Sequence, residues 1–346
     1  MMLSAASQAL LRSKELLQQG KWLLVNPSDG QVFTQIDNPH IFGFHQYFDI
    51  FQQSVAAAKL KGLQEQHIFA SAYQSSADFD GAVLYMPKSK AQAQMLLANI
   101  ASCLKPGATI LMVGENNSGI KSAPKLLDDY STQINKVDSA RHCAVYGGQI
   151  DKPTENFDLQ KWQKILTLEV AGMSYQICSL PGVFSHGELD AGTRLLLESI
   201  DKVATGNLLD FACGTGIIGC FLGLKNPQSN VVMTDVSALA IYCATKSAEL
   251  NGLKVQIIPS NGLAEISGRF DGIYTNPPFH TGIQTDYSVT EGFINQLKPK
   301  LKPAASLTLV ANKFLRYSQL LEQKFASVYA LAQTTKFSVY YCQRYK

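Results

Sequence analysis

An apolar segment that runs directly into a glycine-rich turn constrains the fold of this 346-residue chain more than any other feature. Leu208 and Leu209 precede Asp210, and Gly214-Thr215-Gly216 is followed by the apolar run 217–222. Glycines at this spacing permit a tight turn that a ligand can approach closely. The segment therefore predicts a strand, a turn and a helix of an α/β sheet, with a nucleotide-like ligand lying across the turn.

A second carboxylate follows at a spacing typical of ribose recognition. Val231-Val232-Met233 leads to Asp235, about 20 residues beyond the turn, where a carboxylate can accept hydrogen bonds from ribose hydroxyls. A nicotinamide dehydrogenase would show the same spacing of Gly214, Gly216 and Gly219. The glycine turn alone therefore leaves both classes of enzyme open.

The tetrapeptide Asn276-Pro277-Pro278-Phe279 separates these classes. It follows the apolar segment 270–275, and the carboxyl ends of parallel strands share one edge of a sheet, so we expect it beside the glycine turn. An exocyclic amino group is a poor nucleophile because its lone pair is delocalised into the ring. The Asn276 side-chain oxygen and the Pro277 carbonyl can each accept one of its N–H groups, and Phe279 offers a stacking face.

These residue types predict methyl transfer to a planar nitrogen, a reaction that a dehydrogenase has no evident means to perform. Our candidate catalytic residues are Asn276, Pro277 and Phe279. The candidate substrate-binding residues are Pro278, Phe279 and His280.

The second half of the chain resembles the class I S-adenosylmethionine-dependent methyltransferases, whose amino-methylating members carry Asn-Pro-Pro-Phe. Further segments resemble one family, the bacterial 16S ribosomal RNA guanine-N2 methyltransferases. They are Pro181-Gly182-Val183-Phe184-Ser185, Leu189-Asp190, Val310-Ala311-Asn312 and, nearer the amino terminus, Val113-Gly114-Glu115-Asn116 and Asn135-Lys136-Val137-Asp138.

This resemblance implies S-adenosyl-L-methionine as the cofactor and N2 of one guanine in 16S ribosomal RNA, within the 30S subunit, as the acceptor. It also implies the residues around the cofactor: Asp210, Gly214, Thr215 and Gly216 at the methionine end, Asp235 at the ribose and Asn261 near the adenine. The guanine is expected to be flipped out of its stack for direct in-line transfer. Phe211 stands where many members have a small residue, and its bulk is expected to face the core or the cofactor.

Two alternatives stay open. The chemistry of Asn276 suits adenine N6, cytosine N4 or a protein glutamine equally well, and only the resemblance favours guanine. A non-catalytic ribosome-assembly factor would also bind RNA, although intact Asp210, Asp235 and Asn276 argue against it.

An internal repeat predicts the overall organisation. Residues 79–88 align with 270–279, and 104–108 align with 301–305 after a six-residue shift. The repeat predicts an α/β chain with two tandem class I, Rossmann-like methyltransferase folds, each a mostly parallel seven-stranded sheet flanked by helices. In the first copy Tyr85 replaces the asparagine and the turn keeps a single glycine. We expect a degenerate, non-catalytic domain over 1–150 that supports the active domain or binds RNA, a linker over 151–172 and a catalytic domain over 173–346.

Local patterns predict helices over 6–18, 91–104, 193–202 and 238–250, and a hairpin over 162–178. Seven scattered cysteines without a Cys-x-x-Cys pair predict neither a disulfide framework nor a metal site. No apolar run has the roughly 18 residues of a membrane helix, and no signal core is evident, so we expect a cytoplasmic protein, neither exported nor anchored. We also expect a monomer. The modest net charge of +3 favours recognition of a folded ribosomal particle over naked RNA.

Overall fold

The protein is described by a computed structural model over residues 2–74, 78–277, 287–315 and 317–346, with the side chains of 287–290 left out. Its contacts divide the chain into two units, Met1–Gln163 and Lys164–Lys346. The boundary lies inside the stretch 151–172 that the sequence assigns to a linker. The second unit starts at Lys164 rather than at residue 173 because the strand Lys164–Val170 pairs with Met173–Ser179, which forms the hairpin predicted over 162–178.

The first unit contains seven strands, with five α-helices among its described residues. In chain order they are α1 (Ala5–Leu10), β1 (Trp22–Val25), α2 (Val32–Gln35), β2 (Ile41–His45), α3 (Phe48–Lys59), β3 (His67–Phe69), β4 (Phe79–Tyr85), α4 (Lys90–Ala101), β5 (Leu104–Glu115), α5 (Ala123–Leu127), β6 (Asn135–Ala140) and β7 (Cys143–Gln149). Short 3-10 helices occupy Leu11–Leu17, Gln64–Gln66, Ile120–Ser122 and Leu159–Trp162.

The second unit begins with the hairpin and continues with a second seven-stranded sheet. Its elements are β8 (Lys164–Val170), β9 (Met173–Ser179), α6 (Ala191–Glu198), β10 (Asn207–Phe211), α7 (Ile217–Lys225), β11 (Asn230–Asp235), α8 (Ala238–Leu250), β12 (Gln256–Pro259), β13 (Phe270–Thr275), α9 (Tyr287–Gln296), β14 (Leu301–Asn312), α10 (Tyr317–Lys324), β15 (Phe325–Gln333) and β16 (Phe337–Tyr345). A 3-10 helix covers Lys298–Lys300.

The two large sheets have the same topology, which confirms the predicted fold class and duplication. Their strand orders are β3-β2-β1-β4-β5-β7-β6 and β12-β11-β10-β13-β14-β16-β15. In each sheet the first five strands of that order are parallel, and the last strand but one pairs antiparallel with its neighbours. Even an irregularity is shared, because the register shifts between Phe79 and Gly81 in β4 and between Phe270 and Gly272 in β13.

One ionic contact is also duplicated. Asp80 accepts a hydrogen bond from the backbone N–H of Lys21 at 2.7 Å, and Asp271 accepts one from Asn207 at 2.8 Å. Each carboxylate also pairs with a lysine at 2.7 Å, Lys105 in the first unit and Lys302 in the second. The equivalent carboxylate therefore links β4 to the residue before β1 in the first unit, and β13 to the first residue of β10 in the second.

The predicted helices differ from the observed ones mainly at their ends. The helix over 238–250 is confirmed. The helix predicted over 193–202 starts earlier, at Ala191, because the Asp190 side chain accepts the N–H of Thr193 and caps its first turn. The helix predicted over 6–18 is an α-helix only to Leu10 and continues as a 3-10 helix that is kinked at Ser13.

Apolar residues on the two faces of the second sheet form separate clusters. Leu209 and Leu309 belong to one cluster, whereas their neighbours Leu208 and Val310 belong to the other. All seven cysteines are buried and free. Among the described residues no helix combines the length and apolar character needed to cross a membrane.

Candidate active site

Three parallel strands of the second sheet end side by side and bring the predicted site residues to one edge. In register, Phe211 of β10 lies opposite both Thr234 of β11 and Thr275 of β13. The glycine turn, Asp235 and Asn276 each follow one of these three residues. The Thr275 hydroxyl donates to the Phe211 carbonyl at 2.7 Å and fixes the two central strands where they end.

The glycine turn has the backbone conformation that its sequence suggests. Gly214 and Gly216 have φ angles of +54° and +81°, in the left-handed region that favours glycine. A Cβ on Gly216 would lie 3.1 Å from the Cα of Ala244, so the turn packs closely on helix α8. A Cβ on Gly214 would meet no described atom within 4 Å, so the turn is open on that side.

Two carboxylates accept hydrogen bonds from the backbone of this turn and of the helix that follows it. Asp235 accepts the N–H of Gly214 at 2.9 Å, and Asp210 accepts the N–H of Gly219 at 2.8 Å. Asp210 is fully buried, and its second oxygen, Oδ1, has no hydrogen-bond partner among the described residues. A buried acceptor left free in this way is suited to a donor or a positive charge on a ligand.

Burial dominates the ionisation of both carboxyl groups. It raises the pKa of Asp210 to about 8, with the Gly219 N–H opposing the rise and the charge of Asp235 adding to it. Burial also raises the pKa of Asp235, against hydrogen bonds from the N–H groups of Ser237 and Gly214. Asp210 therefore carries a proton near neutral pH when no ligand is bound.

The remaining predicted cofactor residues lie around the same edge. Thr215 is buried within the turn, and Asn261 is exposed just beyond strand β12, whose Pro259 pairs with Asp235. Phe211 stacks on Phe293 with ring centroids 4.0 Å apart, so its bulk faces the core.

Cys213 lies in the turn but lacks the properties of a nucleophile. It is buried, and burial together with the charges of Asp235 and Asp210 raises the pKa of its thiol well above the ordinary value. The thiolate is the reactive form, so Cys213 is an inert packing residue.

Asn276 is held by two acceptors from the start of helix α6. Its Nδ2 donates to Asp190 Oδ2 at 3.1 Å and to Thr193 Oγ1 at 2.9 Å. An ionised carboxylate can only accept, so the amide must turn its NH2 group toward Asp190. No described residue donates to the Asn276 Oδ1, so this oxygen has no described hydrogen-bond partner.

Asp190 and Thr193 received no role from the sequence. The spacing Asp190-x-x-Thr193 before an apolar run is typical of a helix N-cap, and this local signal is correct. The contact with Asn276 joins residues 86 positions apart, which no local pattern predicts. Of the other predicted residues, Pro277 is buried at the strand end, whereas Pro278, Phe279 and His280 lie outside the described residues.

The first unit has different side chains at the equivalent positions. By strand register, Leu24 takes the place of Asp210, His45 that of Asp235 and Tyr85 that of Asn276. Tyr85 is buried, with its hydroxyl 3.0 Å from the Ser7 Oγ. A Cβ on Gly30, which corresponds to Gly216, would lie 2.5 Å from the backbone of Gln53, so this turn packs on helix α3 as the turn at Gly216 packs on helix α8.

Across the part of the chain that the structure describes, no group of three or more His, Cys, Asp or Glu side chains is placed to hold a metal ion. The glycine turn, the paired carboxylates and the strand-end asparagine on a seven-stranded sheet define a class I methyltransferase.

Comparison with known proteins identifies the family. Residues 174–341 match the model for the methyltransferase small domain, and residues 7–165 match the model for its N-terminal domain. A Pseudoalteromonas atlantica protein named ribosomal RNA small subunit methyltransferase C is 65% identical over 99% of this chain and 100% of that protein. One of the same name from Alteromonas mediterranea is 40% identical over 98% of this chain and 99% of that protein.

A solved structure has the same fold over nearly the whole chain. It is the Thermus thermophilus 16S rRNA N2 G1207 methyltransferase in complex with AdoMet and guanosine, with a TM-score of 0.82 and 24% identity over 99% of this chain and 92% of that one. The chain belongs to the ribosomal RNA small subunit methyltransferase C family.

Proposed function

We propose that this protein transfers a methyl group from S-adenosyl-L-methionine to the exocyclic N2 of one guanine in 16S ribosomal RNA, within the 30S subunit in the cytoplasm. The family supports the RNA substrate, and the geometry of Asn276 supports the chemistry. The observation that carries the proposal is the orientation of Asn276, whose NH2 group is engaged by Asp190 and Thr193 so that its oxygen faces an incoming donor.

The residues at the strand ends fit the cofactor. A Cβ on Gly214 would meet no described atom within 4 Å, and a positive charge on a ligand would favour the ionised form of Asp210, whose buried Oδ1 has no described partner. Asp210, Gly214, Thr215 and Gly216 would hold the methionine end, Asp235 the ribose and Asn261 the adenine. When bound, S-adenosyl-L-methionine supplies a methyl group made electrophilic by the positively charged sulfur.

The protein groups act on the acceptor nitrogen. Asn276 Oδ1 and the Pro277 carbonyl accept the two N2–H groups of guanine and favour a tetrahedral nitrogen, whose lone pair is no longer delocalised into the ring. These dipoles are fixed in advance by the contacts of Asn276, so they stabilise the transition state more than the ground state. The guanine must leave its stack to reach them. We assign its stacking to Phe279 and its further contacts to Pro278 and His280.

The first unit is proposed to be non-catalytic. Leu24 and Tyr85 stand where the second unit has the carboxylate of Asp210 and the amide of Asn276, and His45 stands where it has the carboxylate of Asp235. Its role is then to support the second unit or to bind RNA.

The decisive experiment follows labelled methyl from S-adenosyl-L-methionine into purified 30S subunits, naked 16S RNA and bulk protein, with nucleoside analysis of the product. We expect N2-methylguanosine on the subunit or its RNA. Label in N6-methyladenosine or in protein would contradict the proposed acceptor. Cofactor binding without any label would favour a non-catalytic assembly factor.

A variant at the central residue tests the proposed chemistry. We expect Asn276→Ala to lower turnover by about 10²- to 10³-fold, the scale for removing one group that stabilises a transition state. The affinity for S-adenosyl-L-methionine should be unchanged, as measured by calorimetry. Turnover equal to that of the wild type would show that Asn276 does not accept a hydrogen bond from the amino group that is methylated.

A further inference from the structure

A cleft opens at the edge of the second sheet opposite the active site. It has a volume of about 390 Å³ and is lined by residues at the starts of three strands, Asn207, Asn230 and Phe270. These strands run parallel, and the candidate catalytic residues follow their other ends. With about 3.3 Å per residue, strands of this length place the cleft roughly 20 Å from Asn276.

Two cations line this cleft and have no carboxylate partner. Lys254 and Arg269 are exposed, and neither forms an ion pair with a described residue. No carboxylate is among the side chains that line the cleft. Nearby lysines differ, because Lys302 pairs with Asp271 at 2.7 Å and Lys300 donates to the Ile266 carbonyl.

Three residues that line the same cleft have backbone N–H groups without a described acceptor. Gly268 has a φ of +82°, and within the described chain no acceptor is found for the N–H groups of Ser267, Gly268 and Arg269. A turn with a left-handed residue can direct successive N–H groups toward one anion. The Asn207 amide donates to the Arg269 carbonyl at 3.4 Å and holds this turn against strand β10.

The duplication provides an internal comparison. Arg269 immediately precedes β13, and Asp78 is its equivalent before β4. Ile257 of β12 is equivalent by register to His67 of β3. Lys254, three residues before Ile257, is therefore equivalent to Gln64. The first copy therefore has an acid and an amide where the second has two cations. The fold does not require this pair of charges, and only the unit with the candidate active site carries it.

We propose that this cleft binds a phosphate group of the ribosomal RNA backbone. The inference rests on the proposed function, because that function supplies the RNA. Arg269 offers a planar pair of donors for phosphate oxygens, Lys254 offers a point charge, and the turn at 267–269 offers backbone N–H groups. The enzyme thus contacts its RNA at both edges of one sheet, with the base at Asn276 and a distant phosphate at Arg269.

The test compares Lys254→Ala/Arg269→Ala with a control that removes two other exposed, unpaired charges, Lys14→Ala/Lys202→Ala. Methylation of 16S RNA is measured over a salt series. For the cleft variant we expect KM for RNA to rise about 10-fold and the slope of log affinity against log salt to fall by about 1, because one phosphate contact is lost. Turnover at saturating RNA and cofactor affinity should not change. The control should match the wild type.

Three results would overturn the proposal. The first is a cleft variant with the same KM and salt slope as the wild type. The second is an equal loss in the control, which would indicate a nonspecific charge effect. The third concerns inorganic phosphate, whose binding is measured by ³¹P line broadening. If the cleft variant loses this binding while its KM for RNA stays constant, the ligand of the cleft is a free anion.

The charge-preserving variant Lys254→Arg/Arg269→Lys should keep most of the wild-type affinity. Failure of the proposed function is distinguishable, because wild-type protein would then make no N2-methylguanosine whatever the cleft variants do to RNA binding.

Discussion

Rotating the side-chain amide of Asn276 by 180° costs free energy. Rotating its amide would bring Oδ1 toward the carboxylate of Asp190 and replace a hydrogen bond by a contact between two acceptors. The loss of one such hydrogen bond costs about 1 kcal/mol. The orientation of the Asn276 amide is therefore set by Asp190 and Thr193 at the start of helix α6.

A matched pair of substitutions at Thr193 tests this positioning role. Thr193→Val keeps the shape but removes the acceptor for Asn276 Nδ2, and we expect kcat to fall about 10-fold, equivalent to about 1.4 kcal/mol. Thr193→Ser keeps the hydroxyl and should retain most of the activity. KM for the RNA should change little in either. Equal rate constants for methyl transfer in the two variants, measured under single-turnover conditions, would contradict the positioning role.

Asp210 predicts how stability depends on pH in the ligand-free protein. The folded state keeps a proton on Asp210 up to a pKa of about 8, whereas the unfolded state loses it near 3.8. The folded state thus binds more protons between these values, and the free energy of unfolding falls as pH rises through that window, by at most about 1.4 kcal/mol per pH unit. Below pH 3.8 this contribution is fully present.

Urea unfolding at pH 5 and pH 8.5 measures the effect. The wild type should lose more stability over this interval than Asp210→Asn, which has no proton to release. The neighbouring Asp235 stays in both proteins, so its own raised pKa contributes to both. Identical losses in the two proteins would show that Asp210 titrates normally.

At the scale of secondary-structure elements, the glycine turn between strand β10 and helix α7 requires glycine at Gly216 for two reasons. Its backbone is left-handed, and it packs closely on helix α8. Gly216 and Gly252 both have positive φ, +81° and +65°. A Cβ on Gly216 would lie 3.1 Å from the backbone of Ala244, whereas one on Gly252 would meet no described atom within 4 Å. The two glycines therefore share a conformation and differ in surroundings.

Alanine at each position separates the two effects. Gly252→Ala should lower the free energy of unfolding by about 1–2 kcal/mol, the cost of a left-handed residue with a Cβ. Gly216→Ala should cost about 1–3 kcal/mol more, because helix α8 must shift to admit the extra atom. Denaturant unfolding of both variants measures the difference. Equal losses would mean that the turn does not pack on α8 as described.

Helices, strands and turns with local sequence patterns can be predicted from the sequence. Contacts between elements far apart in the chain cannot. The strand ends before Asp210, Asp235 and Asn276 follow from apolar runs and turn residues, and parallel pairing brings them to one edge. The contact of Asn276 with Asp190 depends on how helix α6 packs against the sheet. Neither periodicity nor propensity contains that information, so Asp190 received no role from the residues alone.

At the scale of the whole molecule, duplication kept the sheet and changed the strand ends of one copy. The two strand orders and a shared register shift persist in both units. His45 replaces Asp235, and burial together with the charge of His67 lowers the pKa of His45 to about 3, so it stays neutral and offers one acceptor nitrogen where a carboxylate offers two oxygens. A repeat in the sequence thus predicts two folds, and the two copies differ in the side chains at their strand ends.

Cofactor stoichiometry tests this division directly. We expect calorimetry to give about one S-adenosyl-L-methionine per chain, because only the second unit has carboxylates, Asp210 and Asp235, at these two strand ends. Asp210→Asn/Asp235→Asn should abolish binding altogether, since no second site takes over. Two equivalents in the wild type, or one equivalent remaining in the double variant, would mean that the first unit binds cofactor despite Leu24 and His45. The first copy would then be a second binding domain rather than a degenerate one.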